Sequence, residues 1–117
     1  MTEEEMRMRA KHFALRRIRL VGALPRNILG KAIGAQLIRS GTSVGANYRA
    51  ACKARSKAEF IARLGIVEEE TDESAYWMEL IIEGNVMKAE RVSPLLKEAT
   101  ELTAIMAASR KSASSRH

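Results

Sequence analysis

The 117-residue sequence has one cysteine, two prolines, two histidines and only 4% aromatic residues. The lone thiol, Cys52, forms no internal disulfide, and a reducing cytoplasm is the expected compartment. So few aromatics argue against an all-β sandwich and against a platform on which bases stack. With little proline and much Ala, Leu, Ile, Glu, Arg and Lys, helices are favoured throughout. No apolar run approaches the ~18 residues that span a bilayer, and no stretch reads as a signal peptide. No membrane partner is expected.

Histidine is scarce in a way that bears on chemistry. A di-iron bundle needs Glu-x-x-His pairs on facing helices, and neither His12 nor His117 follows a glutamate at that spacing. No metal and no other cofactor is therefore expected. Cys52 has only His12 as an internal candidate base, and nothing in the sequence brings the two together. No catalytic residue is assigned.

Acid is missing from one long stretch. Between Met6 and Ala58 stand thirteen Lys or Arg residues and no Asp or Glu; between Glu59 and Glu101, eleven acids stand against four bases. The net charge of +6 therefore hides a chain split into a basic half and an acidic half.

Helical periodicity runs through both halves. Glu3, Glu4 and Glu5 suit a helix N-terminus, and Ala10, Phe13, Ala14, Ile18, Val21 and Leu24 form an apolar stripe ended by Pro25. The next stretch contains Arg39-Ser-Gly-Thr-Ser-Val-Gly-Ala-Asn-Tyr-Arg-Ala-Ala51, which by composition resembles a phosphate loop. Its spacing says otherwise. Ile33, Leu37, Ser40, Val44, Asn47 and Ala51 step by four and three, a heptad seam. The adjoining row Gly34, Ile38, Gly41, Gly45, Tyr48 and Cys52 is mostly small, which lets a partner helix come close. No lysine follows at the spacing of a phosphate-binding P-loop. Ser56-Lys57-Ala58-Glu59 is a capping box that opens a third helix with seam Phe60, Leu64, Val67, Thr71, Ser74, Met78 and Ile81. Gly84-Asn85 stops it, and Ser93-Pro94 starts a last helix. The expected helices cover about 4–24, 27–54, 57–84 and 94–110, with a frayed tail over 111–117. One all-α domain, an antiparallel up-down four-helix bundle, is the economical fold.

Two sets of residues carry the functional expectation. Arg9, Arg16, Arg19, Arg26, Lys31, Arg49, Lys53 and Arg55 are candidate phosphate contacts for RNA or DNA, salt-dependent and tolerant of sequence. Asn47 on the second seam, with Glu70 and Glu73 on the third helix, suggests a buried polar network that fixes register. The competing use of the basic face is protein contact. It would meet the acidic third helix of a second copy in a head-to-tail ring, or serve a protein partner.

Arg39-Ser-Gly-Thr-Ser-Val-Gly-Ala-Asn-Tyr48, followed by Lys57-Ala-Glu-Phe60 and Asp72-Glu-x-x-Tyr76-Trp-Met-Glu-Leu80, resembles one bacterial family. Its members are four-helix bundles first recognised as proteins encoded by intervening sequences of large-subunit ribosomal RNA genes. The resemblance covers essentially the whole chain. It implies a homopentameric ring without established enzymatic activity. It also implies distant kinship to the accessory variability proteins of diversity-generating retroelements, basic pentamers that bind a reverse transcriptase and nucleic acid. By that likeness Arg39, Ser43, Asn47, Glu70 and Glu73 are architectural. The motif commonly carries Glu after Tyr48-x, whereas this chain has Arg49-Ala50-Ala51, so the second helix ends more basic.

Overall fold

Three of the four helices start where a polar side chain satisfies one of the first amides; the last, preceded by Lys88, has no such cap. The computed structural model describes residues 1–115, so Arg116 and His117 lie outside it. Its elements are α1 (Glu3–Gly22), α2 (Ile28–Cys52), α3 (Lys57–Glu83) and α4 (Ala89–Ser114), with no strand among the described residues. Thr2 caps α1 by accepting from the Glu5 amide, and Asn27 caps α2 by accepting from the Gly30 amide at 2.9 Å. Ser56 accepts from the Glu59 amide at 3.0 Å, but the Glu59 carboxylate reaches back to the Arg55 amide, one residue before the cap. α3 ends in a Schellman closure: Val86 N–H donates to Ile81 C=O and Asn85 N–H to Ile82 C=O. The left-handed residue there is Asn85 (φ 54°), while Gly84 keeps an ordinary φ of −85°.

The last helix departs from expectation at both ends. It begins at Ala89, five residues ahead of Pro94, and continues to Ser114 rather than stopping at 110. Ser93 is no cap; its hydroxyl donates back to the Ala89 carbonyl at 2.8 Å. Pro94 forfeits its own N–H bond, yet burial of Val92 and Leu95 in the core holds that turn in the helix.

Short connections make sequential helices antiparallel neighbours, and the result is an up-down four-helix bundle of 50 × 20 × 19 Å. One apolar core runs along it, built from Phe13, Leu37, Val44, Leu64, Val67, Met78, Ile81, Leu102, Met106 and their neighbours. Burying each such side chain contributes about 1.5–3 kcal/mol. Two hydroxyl pairs interrupt the apolar core without leaving polar atoms stranded. Ser74 donates to Ser40 at 3.0 Å, and Thr103 donates to Thr71 at 2.8 Å. Of the neighbouring helix pairs, α1 and α4 touch least.

The inward face of α1 also differs from the predicted stripe. Met6, Ala10, Phe13, Arg17, Leu20 and Leu24 are buried, whereas Ile18 is 49% exposed. Arg17 is fully buried on the seam, its guanidinium stacked 4.4 Å from the centre of the Phe13 ring. Its aliphatic stem lies against Gly41, in the middle of the glycine-containing stretch of α2. That stretch is helix throughout, and Gly41 is there because nothing larger fits beneath Arg17.

Candidate nucleic-acid interface

Acid-free sequence becomes unneutralised surface only if the fold leaves the cations unpaired. Of the thirteen bases between Met6 and Ala58, Arg9 and Arg39 form ion pairs and Arg17 is buried. The other ten make no ion pair among the described residues; Arg16 is half-buried and nine are exposed.

The hairpin of α1 and α2 sorts these cations to two ends. Arg19 on α1, Arg26 in the turn and Lys31 in the first turns of α2 gather toward one end, with Arg16 nearer the middle, one residue before the Arg17 that packs on Gly41. Arg49 near the end of α2 gathers with Lys53 and Arg55 of the α2–α3 turn at the other. At that second end Arg7 and Lys11 join Arg49 around a groove of about 500 Å³ between α1 and α2, with one carboxylate, Glu4, in its wall and Met8, Ala14, Thr42, Gly45 and Ala46 as its floor. The sequence reading missed Arg7 and Lys11. Both stand on the outward side of α1, one and two turns from its start, where the hairpin lays them beside Arg49.

Arg9 does not belong with the unpaired set. Its Nη2 donates to Glu98 at 2.6 Å and to Glu101 at 2.8 Å, with Nε to Glu98 at 2.7 Å, clasping α1 to α4. The Glu98 bonds raise its guanidinium pKa above the ordinary arginine value despite opposing desolvation. A guanidinium already forked onto two carboxylates is a poor phosphate contact. The partners, Glu98 and Glu101, sit 89 and 92 positions away in the chain, and no local pattern announced them.

The expected register network divides in two and lies nearer the rim than the core. Arg39 bonds Glu70 at 3.3 Å and also pairs with Glu73, while its own side chain is half exposed. Trp77 Nε1 adds a bond to Glu73 at 3.4 Å. Asn47 Nδ2 donates to the Ser43 carbonyl at 3.0 Å, and Asn47 Oδ1 accepts from Arg63 of α3 at 3.4 Å. Both groups tie α2 to α3. The buried polar positions are instead Ser40, Thr71 and Ser74, with Arg17. The heptad count placed Asn47 on the seam, but the seam residues facing the core there are Val44, Tyr48 and Ala51.

Besides Arg9, three groups have shifted protonation. Burial first, and the Arg16 charge second, push the Arg17 guanidinium down to about 9. Burial, followed by the nearby Cys52, pushes the Tyr48 phenol up to about 12. The Cys52 thiol is itself raised by burial and then by a hydrogen bond to Glu3, the reverse of what a nucleophilic cysteine needs. Among the described residues no group of three or more His, Cys, Asp or Glu side chains is arranged to hold a metal, and no helix is long and apolar enough to cross a membrane.

A second, smaller pocket of about 240 Å³ opens between α1 and α4, where Arg16 and Arg19 meet Arg91. What the two ends offer chemically is neutralisation of closely spaced anionic charge.

A family model described as 23S rRNA-intervening sequence protein matches residues 2–108. Among solved structures, the chain resembles a protein of unknown function from the S23 ribosomal protein family of Bacteroides thetaiotaomicron. The two share 32% identity and a TM-score of 0.87, over 95% of this chain and 99% of that one. No curated protein matches the sequence.

Proposed function

The chain belongs to the 23S rRNA-intervening sequence protein family, and we propose that it is a non-enzymatic cytoplasmic bundle that binds RNA through phosphate contacts. The observation that carries this reading is the set of ten basic side chains, unpaired among the described residues, in the acid-free stretch between Met6 and Ala58. Phosphate is the fitting partner because such a surface displaces the counterions condensed on a polyanion and reads no base. The contacts are Arg16, Arg19, Arg26, Lys31, Arg49, Lys53 and Arg55, with Arg7 and Lys11 added and Arg9 removed.

Filter binding of single-stranded RNA across a salt series tests it. Affinity should fall steeply with salt, and replacing Arg49, Lys53 and Arg55 together by Gln should flatten the log–log slope by about 2. No binding at low salt, or binding indifferent to salt, sinks the reading.

A second reading has its own support. Leu15, Ile18 and Ile38 are exposed on the basic hairpin, and Ile66, Tyr76 and Leu80 are exposed on acidic α3. Apolar residues framed by opposite charge suit a head-to-tail homo-oligomer, which the family resemblance makes a pentameric ring. Sedimentation separates a hydrophobic ring, which persists at high salt, from one held by charge, which loosens.

A further inference from the structure

The pocket between α1 and α4 differs from the larger groove between α1 and α2, which Glu4 helps to line, in having cationic and apolar residues alone around it. Arg16 and Arg19 approach it from α1 and Arg91 from α4, while Leu20, Met87 and Pro94 lie between them. No carboxylate lines it, and none of the three guanidiniums makes an ion pair or a side-chain hydrogen bond among the described residues. Glu90, beside Arg91 in sequence, is exposed and not part of the lining.

Three planar donor forks around one space call for an anion with several acceptor oxygens, which a phosphate supplies and a single carboxylate does not. The apolar floor calls for a flat, weakly polar body attached to it. At about 240 Å³ the space falls below the roughly 300–1,000 Å³ of typical cofactor and drug sites, so it excludes a dinucleotide and holds a mononucleotide only in part, with the ribose left in solvent. We propose that this pocket takes one nucleotide, its phosphate among Arg16, Arg19 and Arg91 and its base against Leu20, Met87 and Pro94. A free mononucleotide and an unstacked nucleotide of an RNA strand offer the same chemistry. The second source rests on the nucleic-acid reading above; the pocket itself does not.

The test follows backbone amide resonances of Leu20, Ala23, Met87 and Leu95 while AMP or inorganic phosphate is titrated into the full chain. AMP should shift these amides and bind at least about tenfold more tightly than phosphate. R91Q and R19Q should each weaken AMP by a similar factor, and M87A should narrow the advantage of AMP over phosphate. The inference is overturned if AMP binds no better than phosphate, if its shifts fall at the Arg49–Arg55 end, or if both arginine variants bind AMP like the native chain. Single-stranded RNA that shifts the same amides, with duplex RNA that does not, assigns the strand as the source. AMP shifts without RNA shifts assign the free nucleotide. RNA retained on filters while neither AMP nor RNA moves the pocket amides overturns this inference and leaves the phosphate-binding reading standing. AMP binding without any RNA retention does the reverse.

Discussion

Arg17 crosses α2 at Gly41, so closely that a Cβ on Gly41 would sit 2.5 Å from Arg17 Cγ. The contact joins a residue without a side chain to the stem of the longest cationic one, and the two are intelligible only together. Glycine in a helix interior sacrifices up to ~1 kcal/mol of propensity, and here that sacrifice makes room for a buried arginine.

Gly41→Ala therefore destabilises the bundle by about 1–3 kcal/mol, because the clash is with the stem and not with a movable tip. Gly45 provides the internal comparison. A Cβ there meets only ordinary contacts, the nearest 3.7 Å from the Ala10 carbonyl oxygen, so Gly45→Ala is neutral or gains up to ~1 kcal/mol. Thermal unfolding of the two variants should move in different directions.

Arg17 is fully buried, and its three guanidinium nitrogens have no hydrogen-bond partner among the described residues. Replacing it by Met keeps most of the volume and removes an uncompensated charge, so Arg17→Met should stabilise by about 1–3 kcal/mol. The pH dependence has a definite sign. Burial lowers the guanidinium to about 9 from its ordinary 12.5, so above pH 9 the unfolded chain holds more protons at this site than the folded one. The native chain should thus gain stability relative to Arg17→Met as pH rises above 9, while the gap stays constant below it. Urea unfolding of both proteins at pH 7 and pH 10 reads the difference.

Arg9 is the main polar tie across the sparsest helix contact. Arg9→Met should cost about 1 kcal/mol, less at high salt because Glu101 is half exposed. The loss should appear locally, as faster amide exchange along the first half of α1, with α2 and α3 protected as before.

Cys52 should be a slow thiol. Its pKa is raised by burial and then by Glu3, so at pH 8 iodoacetamide should modify the folded chain more slowly than the urea-unfolded one. Glu3→Gln removes the second cause and should speed the reaction.

The helices were legible because the seams of α2 and α3 keep a strict four–three spacing, which survived even a stretch holding two glycines. Ile18 and Arg17 show where such reading fails. A stripe assembled from apolar residues takes Ile18 and rejects Arg17, although the true seam runs 6, 10, 13, 17, 20, 24. The only signal was the small residue opposite, Gly41, and it lies on another helix. Pro94 misled for a related reason: it is a local start signal, overruled by core burial of Val92 that no local window contains. The basic hairpin was readable as a charge run. Arg91 was not, since it sits in the acidic half of the chain and reaches Arg16 only because α4 returns antiparallel to α1.

The length of the bundle has a consequence for how its charge acts. Its outermost cations, Lys31 near the start of α2 and Lys53 just beyond its end, stand about 33 Å apart along the helix, several times the screening distance of about 8 Å at physiological salt. Those outermost cations are electrically blind to each other, and one molecule is a spacer with a grip at each end and Lys11 and Arg16 between them. A strand caught at one end finds the other at a local concentration set by its own slack, so strands long enough to bridge the rod should be retained disproportionately over short ones.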